Sequence, residues 1–129
     1  MNIGDSKMSS ALRSRIRNLS ATGENQYRCV REFDAGFTGF EGHFEGKPIV
    51  PGVCLIEAAR VAAEEAAATK LRTVRIAQCR FRRPIFAGER ADATLKLSAG
   101  AKPGAWKIQA EFRIGEAVSA QMRLEAETL

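Results

Sequence analysis

The chain has a single histidine, His43, among its 129 residues. A metal centre built on two or three histidines of one chain is thereby excluded, and no metal is expected. Cysteine is also sparse. Cys29, Cys54 and Cys79 are odd in number and form no C-x-x-C pair, so neither a disulfide framework nor a thiolate zinc site is expected. No apolar run reaches the roughly 18 residues a membrane-spanning helix needs. Residues 1–18, MNIGDSKMSSALRSRIRN, lack the apolar core of a secretion signal, so a cytoplasmic protein is expected. Repeats and low-complexity linkers are missing, and the length suits one domain, 1–129, with a polar, frayed stretch at 1–10. What is present is ordinary for a folded chain: 45% hydrophobic and 27% charged residues. The net charge of +5, from 20 Lys+Arg against 15 Asp+Glu, admits a nucleic acid, an anionic membrane or an acidic protein as partner without choosing among them.

Residues 11–19 place Leu12, Ile16 and Leu19 at helical spacing among Arg13, Arg15 and Arg17. The spacing predicts a short amphipathic helix whose arginines are either solvated or face an anionic partner. Residues 26–33 read as a strand. A loop follows that holds Gly36, Gly39, Gly42, Gly46, Pro48 and Pro51 together with Phe37, Phe40 and Phe44. A loop with several aromatics is packed against something. Residues 52–69 form the long helix, with Pro51 at its entrance and alanines at 58, 59, 62, 63, 66, 67 and 68. The remainder reads as four antiparallel strands. Alternation is cleanest at 106–114, with Trp106, Ile108, Ala110, Phe112 and Ile114 on one face, and at 118–126, with Val118, Ala120, Met122, Leu124 and Ala126 inward. Gly115-Glu116 suits the two-residue turn between them. This is an α+β pattern, one helix covering one face of a sheet.

The residues with chemistry concentrate in 42–57, GHFEGKPIVPGVCLIE. His43 is the one side chain whose ordinary pKa suits acid–base work near neutrality; the alternative is a histidine that packs the loop. Glu57 stands fourteen positions later, in the second turn of the helix. It aligns with Arg60 and Glu64, which reads as a solvated polar stripe. It is also flanked by Val53, Leu55, Ile56, Ala58 and Ala59, surroundings that would raise a carboxyl pKa. Gly52 and Val53 open the helix with unpaired N–H groups at the positive end of its dipole, able to polarise a carbonyl oxygen. Cys54 reads as a small buried residue and not a nucleophile. Arg72, Arg75, Arg80, Arg82, Arg83 and Arg90 form a basic run with Glu89 as its only acid, either a solvated sheet face or a docking patch for an acidic partner.

HFEGKPIVPGVCLIEA resembles the signature of the β-hydroxyacyl-[acyl carrier protein] dehydratases of the FabZ and FabA type. In that family HF is followed by PG, then P-x-x-P-G-V, then a carboxylate and alanine. RFRRPIFAGE at 80–89 resembles its second block, and the resemblance covers about residues 37–97. It implies the hotdog fold, a long helix wrapped by a curved antiparallel sheet. It also implies a homodimer or higher homo-oligomer with active sites at the subunit interface, His43 coming from one chain and Glu57 from the other. The implied reaction, a hydro-lyase step of lipid metabolism such as fatty acid biosynthesis, removes water from a 3-hydroxyacyl thioester to give the trans-2-enoyl thioester. His43 would be the base. The Gly52 N–H, with Val53 beside it, would hold the thioester oxygen, and Glu57, protonated in apolar surroundings, would be the acid. Phe37, Phe40 and Phe44 would line the acyl tunnel. Arg80, Arg82 and Arg83 would dock an acyl carrier protein; coenzyme A is the other carrier considered. The phosphopantetheine arm carries the substrate, and no metal or redox cofactor is implied.

The chain departs from that pattern at Glu45, where proline is usual, and at Val61, where glutamine is usual. It shows no L-P-H-R-Y-P segment. A short FabZ-like paralogue is therefore expected, and Glu57 itself resembles the FabZ type more than the aspartate of the FabA type. A hotdog acyl-thioesterase and a catalytically inactive acyl-binding protein are the alternatives. Nucleic acid is not an expected partner, because the aromatics cluster in the loop and do not interleave with the arginines.

Overall fold

The computed structural model describes residues 6–34, 36–37 and 49–129. Among the described residues, two helices and six strands run in the order α1 (Lys7–Arg13), β1 (Ile16–Gly23), β2 (Gln26–Glu32), α2 (Gly52–Ala67), β3 (Leu71–Phe81), β4 (Arg90–Ala99), β5 (Ala105–Ile114) and β6 (Ala117–Thr128). The strands form one antiparallel sheet in the order β1-β2-β4-β5-β6-β3, with α2 packed across one face. Because β3 follows the helix yet pairs with β6, the chain crosses from one half of the sheet to the far edge, and α2 is the crossing.

Side-chain alternation fixes which face is inside. Ala91, Ala93, Leu95 and Leu97 of β4, Ile108, Ala110 and Phe112 of β5, and Ala120, Met122, Leu124 and Ala126 of β6 are all buried, as the alternation predicts; Val118 is half-buried. Against them α2 presents Ala58, Ala59, Val61, Ala62 and Ala63, small enough to let helix and sheet approach closely. Two tight turns use left-handed backbone where the hairpin twist demands it: Asn25 (φ 58°) between β1 and β2, and Gly115 (φ 59°) between β5 and β6.

The N-terminal expectation needs correction. The helix lies at Lys7–Arg13, capped by Ser6, whose hydroxyl accepts from the Ser9 N–H at 3.0 Å, and residues from Ile16 onward form a strand paired to β2. The 3.6-residue spacing of Leu12, Ile16 and Leu19 is coincidental. Strand pairing satisfies the backbone of 16–23, and the bulge at Asn18 (φ 55°) lets a segment without period-two alternation keep its place. Neither reading of its arginines holds for Arg13 and Arg15. Arg13 pairs with Glu64 and Glu65 of α2, and Arg15 pairs with Asp34 at 2.8 Å while stacking over Phe37 at 5.2 Å. Both are internal clamps.

Arg31 is fully buried. It donates to the Leu12 carbonyl at 2.8 Å and the Ala58 carbonyl at 3.3 Å, so one guanidinium joins the end of α1 to the middle of α2. Its Nε has no acceptor among the described residues, and burial pulls its pKa down to about 10.

Candidate active site

Pro51 precedes the helix and fixes its entry. Cys54 and Leu55 donate back to the Pro51 carbonyl. The Gly52 and Val53 N–H groups find no acceptor among the described residues, so the fold leaves both donors for something else. The ring of Phe81, at the end of β3, lies directly over Gly52: a Cβ there would stand 2.6 Å from Phe81 Cζ. Only glycine lets this ring come so near the helix start. Val53 and Phe81 are 67% and 53% exposed, and Ile49 is also exposed. An apolar wall thus stands beside two N–H donors that have no acceptor among the described residues.

Val53 and Glu57 are an i, i+4 pair and share one helix face, with Arg60 one turn further. Glu57 is half-buried and ion-paired. Arg60 Nε lies 3.1 Å from both carboxylate oxygens and Nη2 lies 2.8 Å from Oε2. The apolar surroundings expected for Glu57 are therefore not those it has in its own chain. The solvated polar stripe is corrected too. The Arg60 side chain is 12% exposed and that of Glu64 only 3%. Arg60 also reaches Glu64 at 3.0 Å, the Leu71 carbonyl at 3.1 Å and the Ser9 hydroxyl at 3.0 Å. Glu64 accepts from Arg13 and from the Leu71 N–H, each at 2.8 Å. Both backbone groups of Leu71 are thus held by α2 side chains, which fixes where β3 begins relative to the helix. Burial alone would lower the Arg60 pKa; the Glu57 hydrogen bond and the charges of Glu57 and Glu64 raise it on balance.

Cys54 is buried against Met8, its sulfur 3.9 Å from Met8 Sδ. Burial and the Glu57 charge push its thiol pKa up, which suits the packing role and not a thiolate. Phe37 is buried within this chain, its ring edge-on to Phe33 at 5.1 Å between centroids. His43, Phe40 and Phe44 lie outside the described residues. The basic run resolves into separate pairs: Arg72 with Glu127, Arg75 with Glu125, Arg83 with Glu89, and Arg90 with Glu32. Arg80 has no acid partner among the described residues, and Arg82 bonds only the neutral Gln121 and backbone. The structure thus brings Gly52, Val53 and Glu57 to one end of α2. It separates Arg83 from its neighbours by pairing it locally.

A family model of ApeI-like proteins, described as ApeI dehydratase, matches residues 19–121 of this chain. The chain belongs to the ApeI-like dehydratase family. It is 29% identical over 119 residues to the 3-hydroxyacyl-[acyl-carrier-protein] dehydratase FabZ of Allorhizobium ampelinum, a match covering 85% of this chain and 75% of that one. Three further FabZ relatives, 30–32% identical, match over 60–63% of their own lengths, and that of Rhizobium rhizogenes, 26% identical, over 74%. The dehydratase heterocomplex ApeI:P of Xenorhabdus doucetiae superposes with a TM-score of 0.70 at 16% identity, covering 87% of this chain and 96% of that one. An acyl-CoA hydrolase mutant of Staphylococcus aureus superposes with a TM-score of 0.56 at 17% identity, covering 85% and 69%. The fold is the hotdog, and the same frame serves both dehydratase and hydrolase chemistry.

Two residues of this site were not singled out by function in the sequence. Phe81 was hidden between Arg80 and Arg82, although strand alternation puts it on the opposite face from them, toward the helix. Arg60 was visible at i+3 from Glu57, but its burial depends on α1 and Leu71 arriving from elsewhere.

Proposed function

We propose that this ApeI-like protein dehydrates a 3-hydroxyacyl thioester to the trans-2-enoyl thioester, with Glu57 as acid, His43 as base and the Gly52 N–H, beside Val53, as the oxyanion donor. The observation that carries the reading is the end of α2: two N–H groups with no acceptor among the described residues, under an apolar wall of Phe81 and Val53, with a carboxylate on the same helix face. The chemistry asks for these parts. Removing the α-proton places negative charge on the thioester oxygen, and donors at a helix N-terminus stabilise charge there. A base takes the proton, and an acid delivers one to the departing hydroxyl, which leaves as water. For Glu57 to deliver a proton, its carboxylate would have to part from Arg60 and first take up a proton from solvent.

The proposed assembly is a homodimer in which His43 of one chain approaches Glu57 of the other. β3 supports it: an eleven-residue edge strand that exposes Val74 and Ile76 is a template for a second chain. The acyl group would arrive on a phosphopantetheine arm, and Phe40 and Phe44 are the proposed tunnel aromatics; Phe37 packs against Phe33 and Arg15 within its own chain instead. Arg80 and Arg82, which have no acid partner among the described residues, are better placed to meet an acidic carrier than Arg83. The test is turnover of 3-hydroxyacyl thioesters on acyl carrier protein and on coenzyme A, read by the absorbance of the conjugated enoyl product. Product with either carrier, lost in His43→Ala, supports the reading; no enoyl product on any chain length contradicts it. The second reading is thioester hydrolysis, favoured by the Arg60 guanidinium that holds the Glu57 carboxyl on the helix face, where it would activate water; free thiol without enoyl product would select it.

A further inference from the structure

We infer that the outer face of the sheet, opposite α2, is a docking surface for an acidic helix of a partner protein. Strand register sorts its outward side chains into rows. One row crosses five strands: Gln26 of β2, Lys96 of β4, Gln109 of β5, Arg123 of β6 and Gln78 of β3. The row beside it holds Ser98, Lys107, Glu125 and Arg75, and the row on the other side holds Arg28, Thr94, Glu111, Gln121 and Arg80.

The acids on this face are already used. Glu125 pairs with Arg75 at 2.6 Å, Glu111 with Arg113 at 2.7 Å, and Asp92 with Arg28 at 2.9 Å. Lys96, Lys107 and Arg123 remain exposed and make no ion pair among the described residues. With Glu125 held by Arg75, these three cations are gathered into one patch by three adjacent strands. Two shallow depressions, about 550 and 520 Å³, open on this face and share Lys96, Gln109 and Arg123. The surface is both charged and shaped.

The spacing selects the partner. Adjacent strands lie about 4.8 Å apart, so Lys96 and Arg123, two strands apart, stand roughly 10 Å from each other along the row. Carboxylates at i and i+7 of a helix are separated by roughly 10.5 Å along its axis, with i+3 or i+4 between them. A helix laid along the row, across the strands, meets the cations at i and i+7. Gln109 stands between them as an amide able to donate to the carboxylate at i+3 or i+4. A second copy of this chain is a poor occupant, because two such faces would oppose like charges. Single-stranded nucleic acid is disfavoured because no aromatic side chain stands in the three rows to stack a base. The face lies across the sheet from Gly52 and Glu57, so the inference does not depend on the proposed reaction.

The test uses fluorescence anisotropy with a labelled alanine-based helical peptide carrying glutamates at i, i+4 and i+7. A peptide with lysines at those positions and a single-stranded oligonucleotide of equal charge are the comparisons. The full chain should bind the glutamate peptide, more weakly as salt rises. Lys96→Glu/Arg123→Glu should weaken binding at least tenfold, whereas Lys102→Glu in the β4–β5 turn should leave it within twofold. If the double reversal misfolds by circular dichroism, Lys96→Gln/Arg123→Gln serves, with at least a threefold loss expected. Equal loss from Lys102→Glu, undiminished binding by the double variant, or preference for the oligonucleotide overturns the inference.

Discussion

Arg60 holds Glu57 by three nitrogen–oxygen contacts of 2.8–3.1 Å, and the same guanidinium reaches Glu64, Ser9 and the Leu71 carbonyl. The proposed catalytic carboxylate is thus fixed by a group that also ties α1 and β3 to the helix. Position and stability are coupled at this residue, and conservative variants separate them.

Arg60→Met should destabilise the fold by about 1–3 kcal/mol, because it removes the hydrogen bonds to the Leu71 carbonyl and Ser9 while Glu64 keeps Arg13 as its cation. Arg60→Lys keeps the charge without the planar fork and should cost less. The distinguishing readout is the kcat–KM split at a temperature where both variants are fully folded: loss of Glu57 positioning should lower kcat there, which a purely structural loss would leave in place. Urea unfolding and initial rates on one preparation check this.

Gly52→Ala should change stability by no more than about 0.5 kcal/mol. Alanine is the better helix former, and the atom it meets is the tip of a half-exposed Phe81 ring that can swing away. The displaced ring and the new methyl should nonetheless lower kcat/KM by about tenfold or more. Adding Phe81→Ala should restore part of it, whereas no recovery would show that the methyl alone obstructs the donors.

Native-state alkylation should rank the thiols. Burial raises the pKa of Cys29, Cys54 and Cys79 alike, but Cys29 and Cys54 are buried and Cys79 is half-exposed on β3. Cys79 should react first, the other two only on unfolding. Mass spectrometry of iodoacetamide-treated protein reads the order; early modification of Cys54 would contradict the packing at Met8.

Val74→Lys/Ile76→Lys on the edge strand should convert a dimer to monomers by sedimentation while keeping the circular dichroism of the fold. Turnover should vanish with the dimer. An active monomer would place His43 and Glu57 within one chain.

The strands and long helix were legible because their signals are local. Ala91 to Leu97 and Ile108 to Phe112 alternate cleanly, and Pro51-Gly52 marks the helix start. β1 was not legible, since its pairing with β2 is a tertiary fact that overrides the helical spacing of Leu12 and Ile16. At the site, the sequence placed Gly52, Val53 and Glu57 together through helical geometry. It misread the surroundings of Glu57, because the burial of Arg60 and Glu64 comes from Ser9, Arg13 and Leu71, far away in the chain. The arginines of residues 72–90 looked like one patch. Their acids, Glu125 and Glu127, sit on β6, which only register brings alongside.

The central claim is that Glu57 acts as the proton donor in dehydration. Its most direct measurement is enoyl-thioester formation from a 3-hydroxyacyl thioester by the wild type and by Glu57→Gln, with product absorbance and free thiol followed together. The account predicts enoyl product from the wild type, a loss of about 10²–10⁴-fold in kcat for the variant, and no thiol release by either. Enoyl formation that survives Glu57→Gln, or thiol release without enoyl product, would contradict it.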